Sequence, residues 1–164
     1  MSFATADLCD KFEAKLKTDE LRVVDMNFRS YGGRRSFAGA IATLKLYEDN
    51  SLVRTALEQP GNGRILVVDG GGSKRRALVG DQLAALAVKN CWGGIVVYGC
   101  IRDSSAIAAM DLGVFALGTH PRKTDKKNTG EADVPVTFGS VTFRPGHWLY
   151  ADPDGVLISA SKLE

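Results

Sequence analysis

Short apolar runs and amphipathic stretches alternate through the middle of the chain, and this pattern predicts its fold class. A run such as Ile65-Leu66-Val67-Val68 lacks the polar alternation of a half-exposed strand and indicates a buried one. Between the runs, apolar residues recur every three or four positions, which is typical of helices packed on a sheet. The predicted order is strand 64–69, helix 81–90, strand 94–98, helix 104–111 and strand 113–117. Because parallel strands need such helical crossovers, we predict a parallel βαβαβ unit.

The flanking regions carry other patterns. On the N-terminal side we predict a helix at 5–17, strands at 21–24 and 37–47, a helix at 51–57 and a basic loop at 28–37. On the C-terminal side a polar, lysine-rich, exposed loop at 119–132 precedes four short strands, at 134–138, 141–144, 148–151 and 156–159. Pro135 indicates that the first of these strands lies at a sheet edge. We therefore predict a single α/β domain over residues 1–164, with the parallel βαβαβ unit followed by a β-rich C-terminal part.

Composition narrows the class of protein. The 164 residues, 45% of them hydrophobic and 24% charged, suit one globular domain. A net charge of +2 gives no electrostatic reason to expect direct nucleic-acid binding. Three cysteines without a CxxC pair indicate a reducing compartment. The longest apolar run, 93–101, is far shorter than the roughly 20 residues of a membrane-spanning helix, and no signal peptide is recognisable, so we expect a soluble cytoplasmic protein without membrane contacts.

Glycine is over-represented, with 18 residues, and three glycine-containing segments follow predicted strands. The first, Asp69-Gly70-Gly71-Gly72, is either a tight turn or the backbone lining of a ligand cleft. Its spacing fits neither a Walker A loop nor a dinucleotide-binding loop, because the strand-like residues 77–79 intervene before the next helix. A tight turn is therefore the favoured interpretation, and the backbone lining of a ligand cleft is the alternative. A nucleotide or S-adenosylmethionine site is suggested by the glycines but not by their spacing.

The second segment places Gly80 directly before the helix at 81–90. The unpaired N–H groups at the start of a helix can bind a small carboxylate, and a glycine lets the ligand come close. Alternatively, Asp81 satisfies these donors as a capping residue.

The third segment begins at Gly99 as a predicted loop and ends in Arg102 and Asp103, with Ser104 as the N-cap of the next helix. The guanidinium can stabilise a developing oxyanion, and the carboxylate can bind a hard divalent cation such as Mg²⁺. Alternatively, the two side chains form an ion pair that closes the loop. Because neighbouring parallel strands end at the same edge of a sheet, we expect this segment and Gly80 to border one cleft for a small carboxylate.

Asp81, twenty intervening residues and then Arg102-Asp103 form a pattern that resembles the D-x20-R-D motif of the RraA-like family. The flanking residues agree over 80–84 and 92–103, and the likeness extends nearly end to end, from residues 5–10 to 152–156. The motif alone is weak support, but with its flanks over the whole chain the resemblance is strong.

The resemblance implies a fold, an assembly and two functions. The fold is a swivelling β/β/α-type domain, assembled into ring-shaped homotrimers with active sites between subunits. One function is that of a class II, metal-dependent aldolase, which cleaves 4-hydroxy-4-methyl-2-oxoglutarate to two pyruvates and also decarboxylates oxaloacetate. The other is that of a non-catalytic regulator, which binds and inhibits ribonuclease E.

Both reactions leave a pyruvate enolate, and the resemblance implies which residues act on it. The backbone that would hold the pyruvyl carboxylate belongs to Gly80, Asp81, Gln82 and Leu83. Arg102 would contact the C2 carbonyl oxygen of the substrate, and Asp103 would anchor the divalent cation, Mg²⁺ or alternatively Mn²⁺. Asp81 would orient a water molecule that protonates the enolate. Longer aldolase members take a further acidic residue from a neighbouring subunit, and no residue of this chain matches it.

Overall fold

A computed structural model describes residues 2–163, in which helices and strands mix along the whole chain. The helices are α1 (Thr5–Lys11), α2 (Glu13–Lys17), α3 (Ser51–Leu57), α4 (Asp81–Lys89) and α5 (Ser104–Ala108). The strands are β1 (Leu21–Val23), β2 (Arg29–Ser30), β3 (Phe37–Lys45), β4 (Ile65–Asp69), β5 (Ala77–Val79), β6 (Gly94–Ile101), β7 (Gly113–Thr119), β8 (Glu131–Ala132), β9 (Val136–Phe138), β10 (Val141–Phe143), β11 (Trp148–Asp152) and β12 (Gly155–Ser159). Within residues 2–163, every helix is too short or too polar to cross a membrane.

A ten-stranded mixed sheet runs in the order β1-β12-β11-β3-β4-β6-β7-β2, with β5 beside the second half of β6 and β8 beside the end of β3. Strands β3, β4, β6 and β7 are parallel, whereas β1, β2, β11 and β12 join by antiparallel pairing. The predicted βαβαβ unit is confirmed as β4-α4-β6-α5-β7. The β-rich C-terminal part continues the same sheet through β11. Strands β9 and β10 form a separate two-stranded hairpin, with Pro135 just before it.

The parallel strands are buried on both faces, in two different apolar cores. One face packs against the helices, through residues that include Leu66, Val68, Ile95, Val97 and Leu83. The other face packs against the β9-β10 hairpin and the C-terminal strands, through residues that include Val67, Val96, Phe115, Phe138 and Phe143. Strands covered on both sides need apolar residues at successive positions, which explains the continuous apolar runs of β4 and β6.

The N-terminal region contains more secondary-structure elements than its sequence pattern predicts. The helix expected at 5–17 consists of α1 and α2, because Phe12 leaves helical geometry (φ −110°, ψ 31°) between them. The basic loop expected at 28–37 contains the short strand β2, which pairs antiparallel with β7.

The prediction of a loop from Gly99 onwards is wrong. Strand β6 continues to Ile101, because its last residues pair with β5 on one side and β7 on the other. The following helix also differs from the prediction, since it ends at Ala108 and takes Asp103, not Ser104, as its N-cap residue.

The Phe37 ring packs directly against two glycines on neighbouring strands. Gly94 of β6 and Gly113 of β7 are paired across the strands, and the Phe37 ring lies against both. A Cβ added to Gly94 would lie 2.6 Å from Phe37 Cδ2, and one added to Gly113 would overlap the ring. The ring is only 3% exposed and packs edge-on against Phe115, so it cannot move outwards without losing these contacts. Both positions therefore require glycine while Phe37 is present.

Asp49 fastens the loop that follows β7 to the start of α3. Its carboxylate, 2% exposed, accepts hydrogen bonds from the Ser51 amide (2.9 Å) and hydroxyl (2.6 Å), the Lys127 amide (2.9 Å), and the Thr129 amide (3.0 Å) and hydroxyl (2.9 Å). Burial alone would raise the pKa of Asp49, but these hydrogen bonds outweigh it and hold the pKa well below its usual range. The predicted lysine-rich loop is therefore exposed at most of its side chains but fixed along its backbone.

We predict that Gly113→Ala lowers the free energy of unfolding by about 1–3 kcal/mol, because the added methyl group over-packs the Phe37 ring. Urea or thermal unfolding at fixed protein concentration measures the loss. Gly118→Ala, on the same strand, is the matched control, since its Cβ would meet only Cys100 Sγ at 4.0 Å. Adding Phe37→Leu to Gly113→Ala should restore part of the stability. An equal loss in Gly118→Ala would contradict this explanation.

We predict that Asp49→Asn destabilises the protein by about 2 kcal/mol at pH 7, because it weakens charge-assisted hydrogen bonds. The folded-state pKa of Asp49 lies below the unfolded value of about 4, so its stabilisation is present above that pH and disappears as the pH falls towards the folded-state pKa. The deficit of the variant should therefore shrink as thermal unfolding is repeated from pH 7 down to pH 3.

The matched control for Asp49 is Asp125→Asn on the same loop. The Asp125 carboxylate is 75% exposed and lies 3.9 Å from the guanidinium of Arg76, whose side chain is 19% exposed. Because the carboxylate is largely solvated and the distance is long, its replacement should change the unfolding midpoint little. A deficit in Asp49→Asn that stays constant over the pH range would show that ionisation of Asp49 is not the cause.

Candidate active site

A cavity of about 130 Å³ lies where β5 and β6 end and α4 begins. The six residues that the sequence singled out all border it, namely Gly80, Asp81, Gln82, Leu83, Arg102 and Asp103. The remaining lining residues are Asn50, Arg54, Ala77, Lys123 and Lys126. The cavity therefore sits at the carboxyl ends of parallel strands, where α/β sheets commonly bind ligands.

Helix α4 presents backbone amides to this cavity. Gly80 is its N-cap in an extended conformation, and the first helical hydrogen bond runs from the Ala84 amide to the Gly80 carbonyl. The preceding amides have no acceptor within the helix. The Asp81 amide donates to Asp103 Oδ2 (3.0 Å), whereas those of Gln82 and Leu83 have no protein acceptor among residues 2–163. The Asp81 side chain makes no capping hydrogen bond, so the alternative in which it satisfies these donors does not hold.

Gly80 makes room for the two side chains of the motif. A Cβ at this position would lie 2.8 Å from Asp103 Oδ2 and 3.4 Å from Arg102 Nε. The backbone of Gly80 (φ −123°, ψ −170°) is open to any residue, so the need for glycine comes from this close approach alone.

Asp103 adopts a left-handed backbone conformation (φ 57°, ψ 39°) at the N-cap position of α5. This conformation is costly for most residues other than glycine, and aspartate and asparagine accept it best. It allows the Asp103 carboxylate to reach back to the Asp81 amide while the Asp103 carbonyl accepts the first hydrogen bond of α5, from Ile107. The αL residue thus connects the starts of two helices.

Arg102 is held at its backbone and partly open at its side chain. Its amide donates to the Val79 carbonyl (2.9 Å), and its Nη1 lies 3.5 Å from the Pro121 carbonyl oxygen. Its Nε lies 3.9 Å from Asp103 Oδ2, and both side chains are 39% exposed. The predicted alternative of a local ion pair is therefore present, but an exposed pair at this distance contributes little stability. Both groups can still meet a ligand in the cavity.

The cavity carries an excess of positive charge. Its basic side chains are Arg54, Arg102, Lys123 and Lys126, and its acidic ones are Asp81 and Asp103. The sequence interpretation of the lysines as a solvated loop missed Lys123 and Lys126, and it had no reason to select Arg54 or Asn50. The available signal was positional, since the lysine-rich segment follows β7, whose carboxyl end lies at the same edge of the sheet.

The donor set fits a hard divalent cation that keeps much of its water. Among residues 2–163, no three side chains of the types His, Cys, Asp or Glu converge as a metal cage. Asp103 offers one partly exposed carboxylate beside Arg102 and the α4 amides. Mg²⁺ is commonly bound through one or two carboxylates, several waters and the substrate, and Asp103 offers a carboxylate of this kind. A structural zinc site would need more protein ligands.

Two other segments of interest lie outside the cavity. Asp69 Oδ1 accepts a hydrogen bond from the Gly71 amide (2.9 Å) and closes the glycine-rich segment into a turn, which is the interpretation favoured from the sequence. Gly99 is buried, with Leu78 Cδ1 3.1 Å from where its Cβ would be. The expectation that Gly99 borders the cleft for a small carboxylate is therefore wrong. Gly99 is buried, and its lack of a Cβ leaves room for the Leu78 side chain.

Known proteins similar to this chain match it over nearly its whole length. The family model described as RraA-like (Aldolase/RraA) matches residues 5–158. A protein of Aromatoleum aromaticum named "Putative 4-hydroxy-4-methyl-2-oxoglutarate aldolase" is 64% identical over 163 residues, or 99% of each chain. A protein of the same name from Dechloromonas aromatica is 62% identical over 164 residues, again 99% of each chain.

Two solved structures share the fold. One, described as the RNA-processing inhibitor RraA from Thermus thermophilis, has a TM-score of 0.93 and 41% identity, covering 100% of this chain and 96% of its own. The other, described as an S-adenosylmethionine: 2-dimethylmenaquinone methyltransferase from Geobacillus kaustophilus, has a TM-score of 0.93 and 50% identity, covering 98% and 97%. By sequence and by fold, this chain belongs to the RraA-like family.

Proposed function

We propose that this protein is a divalent-metal-dependent lyase that makes a pyruvate enolate from a 2-oxo acid. Its reactions are cleavage of 4-hydroxy-4-methyl-2-oxoglutarate to two pyruvates and decarboxylation of oxaloacetate. The observation that carries the proposal is the convergence of the α4 amides, Arg102 and Asp103 on one cavity. The aldolase names of relatives that are 62% and 64% identical support the same class of reaction.

Binding begins with the carboxylate next to the ketone. The amides of Gln82 and Leu83 donate to it, and the positive end of the α4 dipole adds to the attraction. Gly80 keeps the entrance to these amides free of a side chain. The carboxylate is thereby fixed with the ketone beside Arg102 and Asp103.

The bond-breaking step places negative charge on the ketone oxygen. The Arg102 guanidinium donates to that oxygen as the enolate forms, and a single donor of this type commonly contributes about 10²–10³-fold in rate. Asp103 and water would hold the divalent cation, which when bound polarises the ketone and stabilises the enolate charge. Asp81 orients the water that returns a proton to C3.

The two reactions differ in their need for a base. Loss of CO₂ from oxaloacetate passes the bonding electrons directly into the enolate and needs none. Aldol cleavage must also remove the proton of the C4 hydroxyl, and Asp81 and Asp103 are the only carboxylates among the cavity-lining residues described here. No residue of this chain is assigned as that base, so the cavity residues account for the enolate chemistry of both reactions and for decarboxylation as a whole. The proposal also includes the homotrimer that the family resemblance implies, with the cavity at the border between subunits.

We predict pyruvate release from oxaloacetate and from 4-hydroxy-4-methyl-2-oxoglutarate, abolished by EDTA and restored by Mg²⁺ or Mn²⁺. Arg102→Ala and Asp103→Ala should each lower kcat/KM by about 10²-fold or more, because each removes charge stabilisation of the enolate. A lactate dehydrogenase-coupled assay measures pyruvate release.

Arg144→Ala is the matched control for Arg102→Ala, because Arg144 is exposed and lies outside the cavity. Its activity should equal that of the wild type. Wild-type rates equal to the uncatalysed rates on both substrates would contradict the proposal. Covalent trapping of pyruvate by borohydride would indicate a lysine Schiff base and contradict the metal mechanism.

A second candidate function is regulation of ribonuclease E by direct protein binding. Its support is the 41% identity and TM-score of 0.93 to the Thermus protein described as an RNA-processing inhibitor. Such binding needs the outer surface of the protein and not the interior of the cavity, so the two functions are compatible.

We predict that the immobilised protein retains purified ribonuclease E at moderate salt. Arg102→Ala should retain it equally, because the substitution changes the cavity and leaves the outer surface nearly intact. Absence of retention by both forms would contradict a regulatory function.

Methyl transfer, named in the description of the Geobacillus protein, receives no comparable support from this chain. The glycine-rich segment that suggested an S-adenosylmethionine site is closed as a turn by Asp69, and it does not line the cavity.

A further inference from the structure

The basic residues on the far side of the cavity have no role in the reaction as described. Lys123 and Lys126 come from residues 120–130, which we call the lysine loop, and Arg54 comes from α3. The α4 amides already neutralise one carboxylate of the substrate, and Arg102 with Asp103 serves the ketone. Three further cations around one small cavity indicate that a second negative group is bound there.

Hydrogen bonds and burial fix the backbone of the lysine loop on both sides of Lys123 and Lys126. At its start, the Ala77 amide donates to the Arg122 carbonyl (2.7 Å), and Lys123 forms an isolated parallel bridge with Ala77. The next residue, Thr124, is 2% exposed, so the Cα of Lys123 lies between two anchored neighbours. Lysines of a merely solvated loop need no such support.

Asn50 provides the anchor at the centre of the loop. The backbone amide of Asn50 donates to Thr124 Oγ1 (3.2 Å), and its side-chain Oδ1 accepts from the same hydroxyl (2.8 Å). Its side-chain Nδ2 donates to the Leu78 carbonyl (3.0 Å). Asn50 therefore ties the loop to β5 at the floor of the cavity. Arg54 follows one helical turn later, on the same side of the cavity.

Asp49 completes the support on the other side of Lys126. Its buried carboxylate binds the amides of Lys127 and Thr129, so Lys126 lies between the Thr124 and Lys127 anchors. Two adjacent buried polar residues, Asp49 and Asn50, thus hold the backbone that carries both lysines. Asp49 and Asn50 are positioning residues, since they act through the loop.

We propose that Lys123 and Lys126, with Arg54, form a subsite for the second carboxylate of a 2-oxo dicarboxylic acid. The inference rests on the proposed function, because it takes the α4 amides as the site of the first carboxylate. The subsite makes the protein selective for dicarboxylates over pyruvate-like monocarboxylates, since a charge-assisted hydrogen bond to each lysine is available only to the former.

The subsite also distinguishes the two reactions. In aldol cleavage the second carboxylate stays charged in the departing pyruvate, so its contacts persist through the transition state. In oxaloacetate decarboxylation the same carboxylate becomes neutral CO₂, so its contacts weaken as the bond breaks and favour the ground state. The lysines therefore favour aldol cleavage relative to decarboxylation.

The test is direct binding of two unreactive ligands by calorimetry in the presence of Mg²⁺. The ligand 2-oxoglutarate carries both carboxylates, and pyruvate carries only the first. Lys123→Ala and Lys126→Ala should each raise the Kd of 2-oxoglutarate about 3- to 10-fold, and the double variant more than 10-fold, with a much smaller change for pyruvate. Lys127→Ala, one position from Lys126 but with its side chain outside the cavity, is the matched control and should bind both ligands like the wild type.

The outcomes separate this inference from the function on which it rests. Wild-type protein that binds neither ligand overturns the proposed function itself. Wild-type protein that binds both, with lysine variants that keep the wild-type ratio of the two Kd values, overturns the subsite and leaves the function standing. Unfolding midpoints equal to that of Lys127→Ala ensure that a changed ratio reports binding and not misfolding.

Discussion

Strand β6 hydrogen-bonds to three neighbours, and the positions of Arg102 and Asp103 in the cavity depend on this pairing. Its first half lies between β4 and β7, and its last residues lie between β5 and β7. Because β6 extends beyond the end of β4, Arg102 and Asp103 emerge beside β5, at the start of α4. The register of these strands brings the two ends of the D-x20-R-D motif into hydrogen-bonding distance.

Much of this arrangement follows from local features of the sequence. Buried strands and amphipathic helices have distinct periodicities, which is why the β4-α4-β6-α5-β7 unit is predictable in order and nearly in its bounds. Gly80, Arg102 and Asp103 could be selected because each follows a strand. The length of β6 could not be predicted, because Gly99 and Cys100 are stabilised in a strand by neighbours that are distant in sequence.

The lysine loop (residues 120–130) shows what could not be predicted about the site. Its composition is that of a solvated segment. Hydropathy alone cannot distinguish Lys123 and Lys126, which line the cavity, from Lys127, which does not. What distinguishes them is the geometry of the backbone, which is set by Asp49 and Asn50 more than 70 residues away in the sequence. Polar side chains that bind backbone groups across such distances leave no periodic pattern, so their partners emerge only with the fold.

The pairing of β1 with β12 has a consequence for how the protein is made. Leu21 aligns with Ser159, and near the N-terminus Thr5 donates to the Asp152 carboxylate through its hydroxyl at 2.7 Å. A chain emerging from the ribosome can complete β3, the βαβαβ unit and much of the cavity while β1 still has no neighbour. Of the strands described in residues 2–163, β1 is the first to be synthesised and among the last to be paired. Until residue 159 has left the exit tunnel, the hydrogen-bonding edge of β1 is available to other nascent chains.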